Sequence, residues 1–199
     1  MTRRDRQATE TALVNAASDE FAKKGFDAAT TRSIAETAGC SEVLIQRYFN
    51  GKEGLLLAVL RDKEIDSELG DFMQRPLCAD MAEEARQTLT FAMSGLSSRS
   101  AQLRIVISRA LHNPAFSPDY NRISIRGEVM RGLRKRLTQY QTAGIVDASV
   151  DIPAACELLL TLNFQLGFVH PELLRTPRAK VLRLVDQFAL LFSRAVTSA

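Results

Sequence analysis

The stretch 30–53, TTRSIAETAGCSEVLIQRYFNGKE, constrains this chain more than any other, because it parses as two short helices around a tight turn. Thr30 suits an N-cap: its hydroxyl can accept an otherwise unpaired backbone N–H, opening a helix that runs to about residue 38. Gly39 follows, where a positive φ costs least. Ser41 is then placed to cap a second helix running to about residue 48. Counted from Thr31, Ala35 is the fifth position, Gly39 the ninth and Ile45 the fifteenth. A helix-turn-helix needs a small residue at the crossing, a turn glycine and an apolar wedge at those places.

Around this unit the pattern is helical throughout. Residues 6–24 read as a first helix with Leu13, Val14, Ala17 and Phe21 on one face, stopped by Gly25 and plugged by Phe26. After the turn signal Asn50-Gly51, one long helix is expected over 52–74, closed by Pro76, touching both the head and the body. Further helices are expected over 80–98 behind Asp80, over 100–112, and over 117–142 with Pro118 in the first turn. The last two are expected over 152–168 and 177–196. No alternating strand pattern, Rossmann motif or P-loop glycine motif is present. The fold class is therefore all-α.

The block from 12 to about 60 resembles the DNA-binding domain of the tetracycline-repressor (TetR) family of bacterial regulators. The resemblance is carried by Phe21, Gly25, Phe26, Thr30, Ile34, Ala35, Ala38, Gly39, Ser41, Tyr48, Phe49, Lys52, Glu53 and Leu55 in one ungapped run. The departures fall on the second helix of the motif: Leu44 stands where the family commonly has a small hydroxyl residue. Gln46 stands where it has an aromatic, and Glu42 where a basic or small residue is frequent. The resemblance implies a three-helix head over 6–50, its helix-turn-helix at about 31–50, and a larger helical effector-binding and dimerisation domain over 51–199. It also implies a homodimer that places two second helices in successive major grooves of a partly palindromic operator.

Within the head, Ile45 and Phe49 should face the core, leaving Ser41, Glu42, Val43, Gln46, Arg47 and Tyr48 toward DNA, with Arg32 and Lys52 beside them. Gln can read adenine and Arg guanine through paired hydrogen bonds, and Val can touch a thymine methyl. Tyr and Lys suit phosphate, which positions without specifying. The arm 2–9, carrying Arg3, Arg4 and Arg6, reads either as a solvated tail or as a basic arm reaching phosphate or a minor groove. Residues 1–60 hold eight Lys/Arg against eight Asp/Glu, so affinity must come from where charges point.

In the body, Phe72, Phe91, Leu103, Ile107, Met130 and Phe164 are expected to line a pocket for a largely hydrophobic small effector. Asn163, Gln165, His112 or Tyr120 would be its polar points. The last two helices are apolar on broad faces. Under the resemblance, Leu158, Leu162, Val185, Phe188 and Phe192 would form a four-helix interface with a second copy. From 99 to 136 there are nine Lys/Arg against Asp119 and Glu128. That run reads as a solvated face, with accessory DNA contact or an inward-turned Arg104 or Arg109 meeting an anionic ligand as the other readings.

Several classes are disfavoured. Cys40, Cys78 and Cys156 are odd in number and far apart, which fits a reducing cytosol and neither a disulfide framework nor a zinc site. No G-x-S-x-G or H-E-x-x-H motif is present, so no enzyme and no cofactor or metal is expected. The polar start MTRRDRQATE has no secretory signal, no apolar run reaches a membrane span, and a cytoplasmic protein without a membrane partner is expected. The function expected is a ligand-responsive repressor. The alternatives are an activator or ligand-independent regulator with the same head, and a helical interaction module that has lost DNA binding.

Overall fold

The computed structural model describes residues 3–61, 63–124 and 126–197, apart from the side chains of residues 3, 4, 63–67 and 123. Thr2 and the side chains of Arg3, Arg4 and Ile65 therefore lie outside the described residues. In chain order the helices are α1 (Arg3–Lys24), α2 (Thr31–Thr37), α3 (Val43–Phe49), α4 (Lys52–Leu60), α5 (Lys63–Gln74), α6 (Met81–Ser98), α7 (Ser100–His112) and α8 (Phe116–Ile123). They continue with α9 (Arg126–Thr142), α10 (Ile152–Phe164), a π-helical segment (Gln165–Leu173) and α11 (Arg178–Val196). Among the described residues there is no strand. The chain forms two compact units, Met1–Lys63 with Ala101–Ser124, and Glu64–Ser100 with Ile125–Ala199.

The first unit is built on α1, whose Leu13, Ala17 and Phe21 are buried at helical spacing. Burying a Leu or Phe side chain of this kind contributes roughly 1.5–3 kcal/mol. Gly25 ends the helix with φ +79°, and the Phe26 ring returns to within 5.3 Å of Phe21. Ile34 and Ala35 of α2, Ile45 of α3, and Leu55 and Leu56 of α4 complete the core from the N-terminal side. Val106 of α7 and Phe116 of α8 complete it from later in the chain. The unit that packs as one thus reaches well beyond the expected 6–50 segment.

In the second unit α6 packs against α10, α11 and the π-helical segment, and α9 packs against α10. Asp80 caps α6 by accepting from the Glu83 N–H at 2.8 Å, and Asp151 caps α10 by accepting from Ala154 at 3.0 Å. The core runs through Met81, Leu89, Leu133, Leu137, Cys156, Leu159, Leu166, Val185 and Phe192. At its edge lies a buried ionic group. Arg136 donates to both Glu84 carboxylate oxygens at 2.6 and 2.9 Å, and to the carbonyls of Met73, Arg75 and Pro76 at 3.1, 2.7 and 3.1 Å. Glu84 also accepts from Arg75 at 3.0 Å and from the Tyr140 hydroxyl at 2.9 Å. Burial pushes the Glu84 carboxyl up, but Arg136, Arg75 and Tyr140 outweigh it and hold the group at about 2.

Four expectations are corrected. The helix expected over 52–74 is interrupted: Arg61, at φ −85° and ψ 84°, ends α4, and α5 starts at Lys63, so no single continuous helix spans the stretch. The helix expected over 117–142 is two, because Ser124 is extended at ψ 141° and α9 begins at Arg126. Arg136 does not belong to a solvated basic face; it is 3% exposed and neutralised by Glu84. Finally, α10 does not end near 168 but continues as the π-helical segment through Pro171. The resulting 22-residue run Ile152–Leu173 is long and apolar enough, by length and composition alone, to cross a membrane. Here its Ala155, Cys156, Leu159, Leu166 and Phe168 are buried in the protein.

Candidate nucleic-acid interface

The geometry of the head begins with Thr30, whose Oγ1 accepts from the Ser33 N–H at 3.1 Å with extended φ −116° and ψ 145°. Ser33 in turn donates its hydroxyl to Glu20 of α1 at 2.7 Å, tying α2 to the supporting helix. Gly39 takes φ +67° in the turn, and Ala35 and Ile45 are 2% and 1% exposed where the two helices meet. Ser41 does not cap α3 through its side chain. The residue before α3 is Glu42, already helical, and the contribution of Ser41 is its carbonyl, which accepts from Leu44 at 3.0 Å. Asn50 closes α3 with φ 59°, a left-handed turn that Asn tolerates better than most residues.

With Ile45 pinned inward, α3 turns an exposed face outward made of Ser41, Glu42, Val43, Gln46 and Arg47. Val43 is 71% exposed, an apolar side chain left in water on a helix whose other face is buried. Gln46 donates to the Asn50 side chain at 3.3 Å, and Glu42 accepts from the Thr31 hydroxyl at 2.5 Å, bridging the starts of α2 and α3. Tyr48 is half-buried, with the Arg6 guanidinium 4.9 Å from its ring centre, so the N-terminal helix places a cation at the end of α3. Arg32 is exposed on α2 and paired with Glu36 at 3.0 Å.

Lys52 sits at the first position of α4, donates to the Asp27 carbonyl at 3.3 Å and lies 4.4 Å from the Phe26 ring centre. Partial burial lowers its pKa; Asp27 opposes that shift and Arg109 adds to it. Arg109 lies in the run read as a solvated face, with an inward turn as another reading; its side chain is 18% exposed. Its partners are Glu53 and Asp27. Nothing in a local reading of the sequence marks those partners, because Glu53 is 56 residues away.

The other expected sites are dispersed. Phe72 and Phe91 stack face to face at 4.0 Å, with the Arg75 guanidinium 3.9 Å over Phe72, so the two rings are packed against each other. Met130 packs on the second core, and Phe164 is 41% exposed beside Phe168, while Leu103 and Ile107 belong to the first unit. Of the expected interface residues, Val185 and Phe192 are 1% and 2% exposed inside their own core and offer no surface to a second copy. Leu162 and Phe188 are half-buried and Leu158 is 46% exposed. The apolar side chains that do face outward on these helices include Leu158, Phe164, Leu182, Leu190 and Leu191. Among the described residues no group of three or more His, Cys, Asp or Glu is placed to hold a metal ion.

Residues 13–59 match the family model described as bacterial regulatory proteins, tetR family. The head of this chain, residues 13–59, is thus of the TetR type. Over 52 residues it is 44% identical to the uncharacterized HTH-type transcriptional regulator YvkB of Bacillus subtilis (strain 168), a stretch covering 26% of this chain and 28% of that protein. The match thus spans little more than a quarter of the curated relative. Solved structures extend the likeness to the whole fold. A TetR transcription regulator from Haloarcula marismortui ATCC 43049 superposes with a TM-score of 0.70 at 19% identity, covering 96% of this chain and 98% of that one. The transcriptional regulator FadR from Bacillus subtilis, solved in complex with stearoyl-CoA, gives 0.70 at 18% identity, covering 94% and 98%. At such identities these two establish the TetR fold alone. The relatives are regulators by description.

Proposed function

We propose that this TetR-family protein is a dimeric, ligand-released transcriptional repressor acting in the cytoplasm. The observation that carries the reading is α3, which buries Ile45 and presents Val43, Gln46 and Arg47 outward from a helix-turn-helix. Gln46 and Arg47 are the base readers, Val43 meets a thymine methyl, and Arg32, Tyr48 and Lys52 bind phosphate. Ser41 and Glu42 flank the start of the helix at the groove. Two copies related by a two-fold axis bind a partly palindromic operator with half-sites one helical turn apart. The outward leucines of α10 and α11, with Leu158, Leu190 and Leu191 foremost, support the pairing surface.

The effector is small and largely hydrophobic, and binds in the second unit. Support comes from Asn163, which is 3% exposed with its Oδ1 lacking any hydrogen-bond partner. A buried amide oxygen left that way costs about 1–3 kcal/mol, and a ligand donor would relieve it. Support also comes from the fatty acyl-CoA bound by the FadR neighbour of the same fold. Release follows if the effector binds the DNA-free arrangement more tightly than the DNA-bound one.

The test is a fluorescence anisotropy titration against duplex DNA flanking the protein's own gene, with excess unrelated competitor. Specific binding that Gln46→Ala/Arg47→Ala abolishes and a long-chain acyl-CoA weakens is the expected result. Wild-type binding that the double variant leaves unchanged would remove α3 as the reading helix.

A further inference from the structure

We infer that Arg109 of α7 is a positioning residue for the DNA-reading helix, acting through the Glu53–Gly54 corner at the start of α4. This rests on the DNA-binding reading of α3. Three consecutive residues carry the argument, and all of them lie in the first unit.

Glu53 is the point of attachment. Its Oε1 is ion-paired with Arg109 Nη2 and accepts a second bond from Asn113 Nδ2 at 3.0 Å. Asn113 is itself fixed, because its Oδ1 accepts from the Ala115 N–H at 3.1 Å in the turn between α7 and α8. Two donors from the end of α7 therefore converge on one carboxylate oxygen. The same guanidinium lies 4.6 Å over the Phe26 ring, and its Nη1 is 3.6 Å from Asp27. Arg109 thus grips both the loop that precedes α2 and the first turn of α4.

Gly54 passes that grip on. A Cβ built there would fall 1.6 Å from the Phe49 carbonyl oxygen and 2.7 Å from its carbon. The backbone of α4 therefore rests directly on the last residue of α3, without a side chain between to absorb movement. A shift of Glu53 must carry α3 with it. Lys52, the residue before, holds the Asp27 carbonyl and lies over the other contact of Arg109, Phe26. The order Lys52, Glu53, Gly54 thus puts a phosphate-binding cation, a clamp point and a backbone contact to the reading helix on adjacent residues.

The clamp differs in burial from the Glu84–Arg136 pair. The side chains of Arg109, Glu53 and Asp27 are 18%, 47% and 84% exposed, and Arg109 Nε is buried without a partner. Because both carboxylates reach solvent, their attraction for Arg109 is screened and the clamp is weaker than the Glu84–Arg136 pair.

The test uses full-length Arg109→Ala, Arg109→Lys, Glu53→Gln and the Arg109→Ala/Glu53→Gln double variant. The probe is a labelled duplex recovered from random sequence by selection with the wild-type protein. Binding is measured across a salt series, and amide hydrogen exchange is followed at residues 49–55. Each single loss should weaken specific binding about tenfold, the double no further, because both break one contact. Arg109→Lys should recover part of the loss. The salt slope should stay at its wild-type value, since the clamp engages Arg109 with Glu53, Asp27 and Phe26, while exchange at Asn50 and Gly51 quickens.

Wild-type affinity in Arg109→Ala, additive losses in the double, or a slope reduced by about 0.9 would each overturn the inference, the last by making Arg109 a direct phosphate contact. If the wild-type protein selects no duplex, the DNA-binding reading falls by itself. Unchanged exchange at Asn50 and Gly51 in Arg109→Ala would then overturn the clamp independently.

Discussion

Replacing Arg136 by Met in the second unit removes one partner of a buried pair while leaving the other in place. Glu84, 3% exposed, would keep Arg75 and the Tyr140 hydroxyl among its donors. The carbonyls of Met73, Arg75 and Pro76 would lose the guanidinium that now joins the end of α5 to α9. Breaking a buried ion pair from one side typically costs about 3–5 kcal/mol. Because Arg75 remains to share the charge, the expected loss lies near the lower end, about 3 kcal/mol. Urea denaturation followed by far-UV circular dichroism should show it as a midpoint lower by about 1 M or more.

The acid arm of the experiment tests the same group separately. The Glu84 carboxyl is lowered from 4.5 to about 2, a depression corresponding to about 3 kcal/mol. A depressed carboxyl stabilises the fold above its unfolded value, and that stability is lost as pH falls from about 4.5 through about 2. The stability difference between wild type and Glu84→Gln should therefore shrink across that window. An Arg136→Met midpoint within about 0.3 M of wild type would refute the reasoning. So would a difference from Glu84→Gln that does not change with pH.

Other expectations follow from single contacts. Gly54→Ala places a methyl against the Phe49 carbonyl and should destabilise the first unit by about 1–3 kcal/mol, measured by urea denaturation. Thr30→Ala removes the α2 cap and should cost about 1 kcal/mol in the same assay. Burial pushes the Cys156 thiol up to about 11, so iodoacetamide at pH 8 should leave Cys156 unmodified in the folded protein and alkylate it in urea, as read by peptide mass spectrometry. Leu190→Glu/Leu191→Glu puts charge on the outward face of α11 and should yield monomers in sedimentation velocity; an unchanged dimer would move the pairing surface elsewhere.

The helix-turn-helix was legible because everything that makes it is local. Thr30, Ala35, Gly39 and Ile45 act on neighbours a few residues away, and spacing alone reveals them. Arg136 was misread for the opposite reason: it sits in a run of positive charge, and the carboxylate that buries it lies 52 residues earlier. Val185 and Phe192 were misassigned because α11 carries apolar residues on broad faces. Sequence then shows that the helix is apolar without showing which side meets its own core. The break after Leu60 carries no Gly or Pro to announce it, and the π-helical continuation through Pro171 defies the usual reading of proline as a stop.

The first unit draws its core from two stretches of chain that synthesis delivers at different times. When residue 60 is added to the chain, Leu55 and Leu56 still lack Val106 and Phe116. At about 5–20 residues per second, roughly 3–12 s pass before residue 120 is made. The reading helix is thus translated before the residues that complete the domain holding it. Truncation after α4 would produce a head with an open apolar side, and the nascent protein passes through that state every time it is made.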